Sequence, residues 1–196
     1  LRRYPSVCHR LHFFTRPVDP DLLDLSGLQD AYRGYTILRP AAFMEQHVHK
    51  FNGQMLLERG FTVIIGPGTK PRNFVAVRDV APFAIQALTR DDLNGRTLEI
   101  GGPDNLGNRD VAAMYIVRAR RGRVVHLPLG VARVMARVIR PLHEGIARVL
   151  DLACVPERQL RESWQAQALL AEFPRRLTTV DTFIDERVAD WRRGRR

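Results

Sequence analysis

The sequence predicts an α/β fold, a parallel sheet followed by a small helical lobe, and three observations predict it. Tyr35 to Leu38 is apolar except for Thr36 and is cut off by Pro40, as in a strand covered on both faces. Between Phe61 and Leu127, short β-branched runs alternate with helical patterns. From Leu129 onward the pattern is helical to the end of the chain.

Residues 1–34 carry no clean period, although Asp19 followed by Pro20 reads as the start of a short helix. His9 and His12 lie between Pro5 and Pro17 with no carboxylate close in sequence, and read as surface histidines. After the strand at Tyr35, residues 41–51 start a helix or loop with Met44 and Val48 facing inward. Gln54 to Arg59 is a short helix closed by Gly60. Phe61-Thr-Val-Ile-Ile is a strand ending at the turn Gly66-Pro-Gly, and Phe74-Val-Ala-Val is another. Asp79 is placed to cap a helix from Val80 to about Thr89, with Pro82 in its first turn. Asn94-Gly is a turn, and Thr97-Leu-Glu-Ile is a strand running into Gly101-Gly-Pro. Asn108 is placed to cap a helix to about Arg118, and Val124-Val-His-Leu is a strand.

In the helical part, Val131, Val134, Met135, Val138 and Ile139 form one face of a helix and Arg133, Arg137 and Arg140 the other, with Pro141 as the stop. The apolar face is expected to pack inward. A second helix over 146–153 turns Val149, Leu150 and Ala153 inward. The stretch 156–173 is helical around Leu160, Trp164, Ala168 and Leu169. Thr178, with Asp181 three residues on, reads as a capping box opening a last helix that carries Val180, Phe183, Ile184, Val188 and Trp191.

Composition narrows the function less than the charge suggests. The net charge is +10, yet 29 of the 31 basic residues are arginine, a skew that GC-rich coding produces, so no nucleic-acid partner is expected. No apolar run is long enough to span a membrane, and the first residues lack the apolar core of a secretory signal. Cys8 and Cys154 match no metal or redox spacing and are expected as reduced thiols in a cytoplasmic protein.

The catalytic signatures are mostly absent. Neither Gly66-Pro-Gly68 nor Gly101-Gly-Pro matches the glycine-rich turn that cradles a pyrophosphate. No Tyr-x-x-x-Lys pair occurs. Tyr35 and Arg39 have that spacing but lie about 13 Å apart on a strand. There is no Gly-x-Ser-x-Gly elbow. Glu45-x-His47-x-His49 would be a metal candidate only on extended backbone, and reads as a polar loop at the mouth of a cleft.

Four stretches carry a resemblance: Tyr35-Thr-Ile-Leu-Arg-Pro-Ala-Ala-Phe-Met-Glu45, Phe74-Val-Ala-Val-Arg-Asp-Val-Ala81, Gly95-Arg-Thr-Leu-Glu-Ile-Gly-Gly-Pro103 and Arg176-Leu-Thr-Thr-Val-Asp-Thr-Phe-Ile184. In that order they resemble the NmrA-like proteins, atypical short-chain dehydrogenases/reductases that bind NAD(P) and include an accessory subunit of respiratory complex I. The resemblance covers about residues 35–190. It implies the C-terminal part of a Rossmann-like parallel sheet with a small helical substrate lobe, the first βαβ unit being missing. It also implies that Arg39, Pro40, Ala41, Ala42 and Phe43 line the nicotinamide end of an NAD or NADP site, and that Asp79 caps the helix supporting the cleft. An ordinary strand-end role for Arg39 remains equally open.

Two departures qualify the resemblance. Residues 1–34 do not resemble the family's preceding helix, and the helix at 112–122 is one residue short. Together with the absent initiator Met, they suggest a truncated or frame-disturbed reading frame. The chain is thus expected to be a single incomplete domain: an atypical segment 1–34, remaining Rossmann-like strands and helices over 35–127, and a helical cap over 128–196. Hydride transfer to a small-molecule substrate is the leading expectation, with catalytic residues and oligomeric state unassigned. The alternatives are a non-catalytic NAD(P)-sensing or assembly protein and, more weakly, a basic protein binding nucleic acid or anionic lipid through Arg133, Arg137 and Arg140.

Overall fold

The computed structural model describes residues 10–13, 35–153 and 166–195. Its organising sheet is parallel, with β2 (Tyr35–Pro40) between β1 (Arg10–Phe13) and β6 (Thr97–Ile100). Arg10 pairs with Tyr35, and Ile37 with Thr97. The central position explains why β2 reads as an apolar run: Thr36, Ile37, Leu38 and Pro40 are all buried. The polar exception is satisfied, since the Thr36 hydroxyl donates to the Leu93 carbonyl at 2.9 Å. β1 was not anticipated, because the alternation of Arg-Leu-His-Phe lasts only four residues and does not continue into its neighbours.

Both strands run on into a second sheet. Ala41 leads into β3 (Ala42–Phe43), which pairs in parallel with β5 (Arg72–Val75), and β5 pairs antiparallel with β7 (Asp104–Leu106). A third, two-stranded parallel sheet joins β4 (Phe61–Ile65) to β8 (Arg123–Leu127).

Of residues 41–51, expected to start a helix or loop, Ala42–Phe43 form β3, and a π-helix runs from Glu45 to Gln54 and continues into α1 (Met55–Arg59). Met44 and Val48 are fully buried, as the pattern requires. Gly60 closes α1 with φ of 77° and donates its N–H to Leu56.

Several helix starts differ from expectation. α2 (Val77–Thr89) begins before Asp79, and the Val77 N–H meets both carboxylate oxygens of Glu45 at 3.1 Å. Asp79 is therefore not its cap, and Pro82 sits in the second turn. α3 (Asn108–Ala119) is capped by Gly107, whose N–H donates to the Asp110 carboxylate at 2.9 Å, so Asn108 is already helical. α7 (Val180–Arg193) is capped by Thr179, whose hydroxyl accepts from Thr182 N, and not by Thr178.

The remaining helices are α4 (Leu129–Ile139), α5 (Glu144–Ala153) and α6 (Ala166–Glu172). On α4 the expected inward face is wrong except at Ile139, which is half-buried. Val131, Val134, Met135 and Val138 are exposed, and Ala132 and Ala136 are buried. On α5, Ala147 is buried and Leu150 half-buried. The expectations for Asp19, His9, both cysteines, Leu160 and Trp164 fall outside the described residues, as do the side chains of Val149, Ala153 and Ala168.

Two cores flank the second sheet and its junction with the first. One packs Met44, Val48, Leu56 and Phe74 with Val111 and Tyr115 of α3 and Val180, Phe183, Ile184 and Val188 of α7. The other packs Leu38, Leu98 and Ile100 against Val80, Phe83 and Ala87 of α2, with Phe173 edge-on to Phe83.

Candidate functional site

In an open parallel sheet, ligands bind beyond the carboxyl ends of the strands. Here those ends are Pro40 on β2 and Ile100 on β6, which are paired in register. All five residues expected at a nicotinamide lie on this step between the first and second sheets. Arg39 and Pro40 end β2. Ala41 is buried and donates its N–H to the Ile100 carbonyl at 2.9 Å. Ala42 and Phe43 are half-buried in β3, beside Phe74 and Val75. Arg39 reaches its register partner Glu99 at 3.3 Å, with the Glu99 side chain 58% exposed. That ion pair sits on the rim.

The two glycine turns serve packing. Gly102 follows β6, and a Cβ there would lie 1.9 Å from the Phe74 carbonyl oxygen, so glycine allows the backbones to touch. Asn73, itself buried, fastens the same turn. Its Oδ1 accepts from Gly102 N at 2.7 Å, and its Nδ2 donates to Gly102 O at 3.0 Å, with longer contacts to Asp104 O and Asn105 Oδ1. Gly66 and Gly68 take positive φ, and the Gly68 carbonyl accepts from Arg109 N at the start of α3. Both turns are filled by the chain itself. Among the described residues, then, neither glycine turn is an open cradle for a pyrophosphate.

A polar clamp surrounds this edge, and it gathers residues from the first, second and fourth resembling stretches and the start of β7. Glu45 caps α2. Asp79 accepts from Thr178 N at 2.7 Å and from the Thr178 hydroxyl at 3.1 Å. Asp104 accepts from Val180 N at 2.7 Å, at the first turn of α7. Arg78 donates to both oxygens of Glu186 at 2.8 and 3.0 Å and to the Thr178 hydroxyl. Sequence reading singled out Asp79 and Thr178 for the wrong partners and missed Asn73 and Asp104. No local pattern marks them, because each partner lies 29 or more residues away.

The Glu45-x-His47-x-His49 string is dispersed by the π-helix. Glu45 turns to α2. His47 stands edge-on to Phe51, and burial, helped by the Arg72 charge, lowers its pKa to about 4. His49 is hydrogen-bonded through Nδ1 to the Tyr115 hydroxyl at 3.3 Å, and burial, then the Arg187 charge, lowers its pKa too. Burial raises the pKa of Tyr115 well above the ordinary phenol range. Gly53 makes room for that ring, since a Cβ would meet it at 2.2 Å. A shallow cleft next to this pair is lined by His49, Leu57, Glu58, Arg187, Asp190 and Trp191. Among the described residues no group of three or more His, Cys, Asp or Glu side chains is arranged to hold a metal.

The fold defines the class: a mixed α/β chain with parallel sheets, of the Rossmann-like kind found in NAD(P)-binding reductases and epimerases. No family model and no curated protein sequence matches the chain. Solved structures do match. A nucleoside-diphosphate-sugar epimerase from Staphylococcus aureus superposes with a TM-score of 0.64 at 15% identity, over 90% of this chain and 64% of that one. An NADPH-dependent quinone oxidoreductase from Escherichia coli, complexed with NADPH, gives 0.61 at 20% identity, over 82% of this chain and 56% of that one. A leucoanthocyanidin reductase–NADPH complex from Vitis vinifera gives 0.63 at 13% identity, over 83% and 56%. The chain spans less than two thirds of the length of each.

Proposed function

We propose that this chain is the C-terminal portion of an NmrA-like, NAD(P)-binding oxidoreductase of the cytoplasm, contributing the nicotinamide-side edge of the site. The supporting observation is the step from β2 to β3 at the carboxyl end of a parallel sheet, in a fold shared with NADPH-bound reductases. In this reading Arg39, Pro40, Ala41, Ala42 and Phe43 bound the nicotinamide end of NAD or NADP. Residues 128–196 form the helical cap over a small organic substrate. The cofactor, when bound, would supply hydride transfer; the chain's own part is to position and to exclude water.

One observation favours a second reading, in which NAD(P) is held without turnover. Of the described tyrosines, Tyr35 lies at the opposite end of β2 from the proposed site, and the Tyr115 hydroxyl is bound to His49 in a buried position. Neither is followed by the Tyr-x-x-x-Lys lysine that would make it a proton donor to substrate.

Fluorescence titration of NADPH and NADH against this chain, and against a version carrying upstream coding sequence, tests the proposal. Binding by the longer version alone is expected, because neither glycine turn among the described residues is an open pyrophosphate cradle. No binding by either would overturn the dinucleotide reading. Binding without oxidation of NADPH across a panel of small carbonyl and quinone substrates would select the second.

A further inference from the structure

Helix α4 is turned with its large apolar side chains outward. Val134 is 64% exposed and Val138 63%, with Val131 and Met135 beside them, and Leu142 continues the row at 86%. At 100° per residue the four helical positions fall within one arc of about 100°. The inward positions are Ala132 and Ala136, small residues that let α5 pack closely against α4. The helix therefore gains its packing from alanines and leaves its strongest apolar face uncovered.

Charge points to what covers it. Between Asp110 and Glu144 the sequence holds seven arginines and no carboxylate, and of the seven Arg118 is paired with Asp181 and Asp185 of α7. Arg133 and Arg137 are exposed on the polar side of α4. A second copy of the chain would bury the apolar arc but leave the arginines, on the other side of the helix, without a partner. An anionic lipid surface complements both features, taking the apolar arc into the headgroup boundary and the arginines into its negative potential. With 11 residues, α4 is about 16 Å long, too short to cross a bilayer and suited to lying in its interface.

We propose that the exposed face of α4 docks the protein on an anionic membrane surface, independently of the dinucleotide reading. The test is co-sedimentation of the full chain with vesicles of phosphatidylcholine alone and of phosphatidylcholine mixed equally with phosphatidylglycerol. Binding to the anionic vesicles roughly tenfold tighter than to the neutral ones is expected, and it should weaken with salt. Val134→Glu with Val138→Glu should abolish binding while leaving the thermal midpoint unchanged, since both side chains face solvent. Arg133→Gln with Arg137→Gln should remove most of the preference for anionic vesicles. Absence of binding, equal binding to both vesicle types, or retention by the valine double variant each overturns the proposal. So does a dimer that the double variant dissociates in a chain that ignores vesicles.

Discussion

Replacing Asn73 by alanine should unlock the turn that joins β6 to β7. The side chain is 1% exposed and makes two short bonds to Gly102, at 2.7 Å to its N–H and 3.0 Å to its carbonyl, plus longer contacts to Asp104 O and Asn105 Oδ1. Truncation removes those bonds at about 1 kcal/mol each and leaves buried backbone groups unpaired, for a total of about 3 kcal/mol. For a chain of this size that lowers Tm by roughly 10 °C. Circular dichroism melts and urea titrations of parent and variant measure it directly. Asn73→Asp adds a check on the chemistry, because its carboxylate can still accept from Gly102 N but offers the carbonyls no donor until protonated. Its deficit should shrink as pH falls. Asn105→Ala, which removes only an exposed partner, should cost less than about 0.5 kcal/mol. If Asn73→Ala melts within that margin of the parent, the turn is not held as described, and the exclusion of a phosphate cradle there loses its basis.

Three further outcomes test other parts of the structure. Gly102→Ala should destabilise by at least about 3 kcal/mol, because its Cβ meets backbone, whereas Gly95→Ala, with nothing within 4 Å but φ of 74°, should cost about 1 kcal/mol. His47 has a folded pKa of about 4 against 6.5 unfolded, so the unfolded chain binds the proton first. Stability should fall by about 2 kcal/mol as pH drops from 6.5 to 4, and His47→Leu should flatten that part of a urea-midpoint profile. Arg39→Ala loses its rim ion pair with Glu99, worth less than about 1 kcal/mol of stability. A drop in NADPH affinity of roughly tenfold in the upstream-extended protein, with Tm nearly unchanged, is expected if Arg39 lies against the dinucleotide.

What the sequence made legible follows from where each signal resides. β2 is plain because an apolar run ended by proline is a local property, and Gly60 closes α1 through its own positive φ. Helix starts were misplaced by one to three residues wherever a carboxylate remote in sequence does the capping: Glu45 serves Val77 across 32 residues, and Asp104 serves Val180 across 76. β3 and β7, at two and three residues, are too short to show alternation. On α4, periodicity identified the apolar arc correctly, but an arc says nothing of what lies opposite it. The alanines between the arc and the arginines took the packing role.

The four resembling stretches can now be separated by what their residues do. Glu45, Arg78, Asp79 and Thr178, with Asp104 just past the third stretch, spend their polar atoms on one another and on helix N-termini, tying α2 and α7 to the ends of the strands. They are engaged in holding the fold whether or not a dinucleotide is present. A resemblance resting on them identifies the architecture and is silent on cofactor retention. In the segment from Arg39 to Phe43, at the strand end, Arg39, Ala42 and Phe43 are half-buried, while Pro40 and Ala41 are buried. At Arg39, whose ion pair with Glu99 lies on the rim, a melt measured beside the titration tells a loss of affinity from a loss of stability.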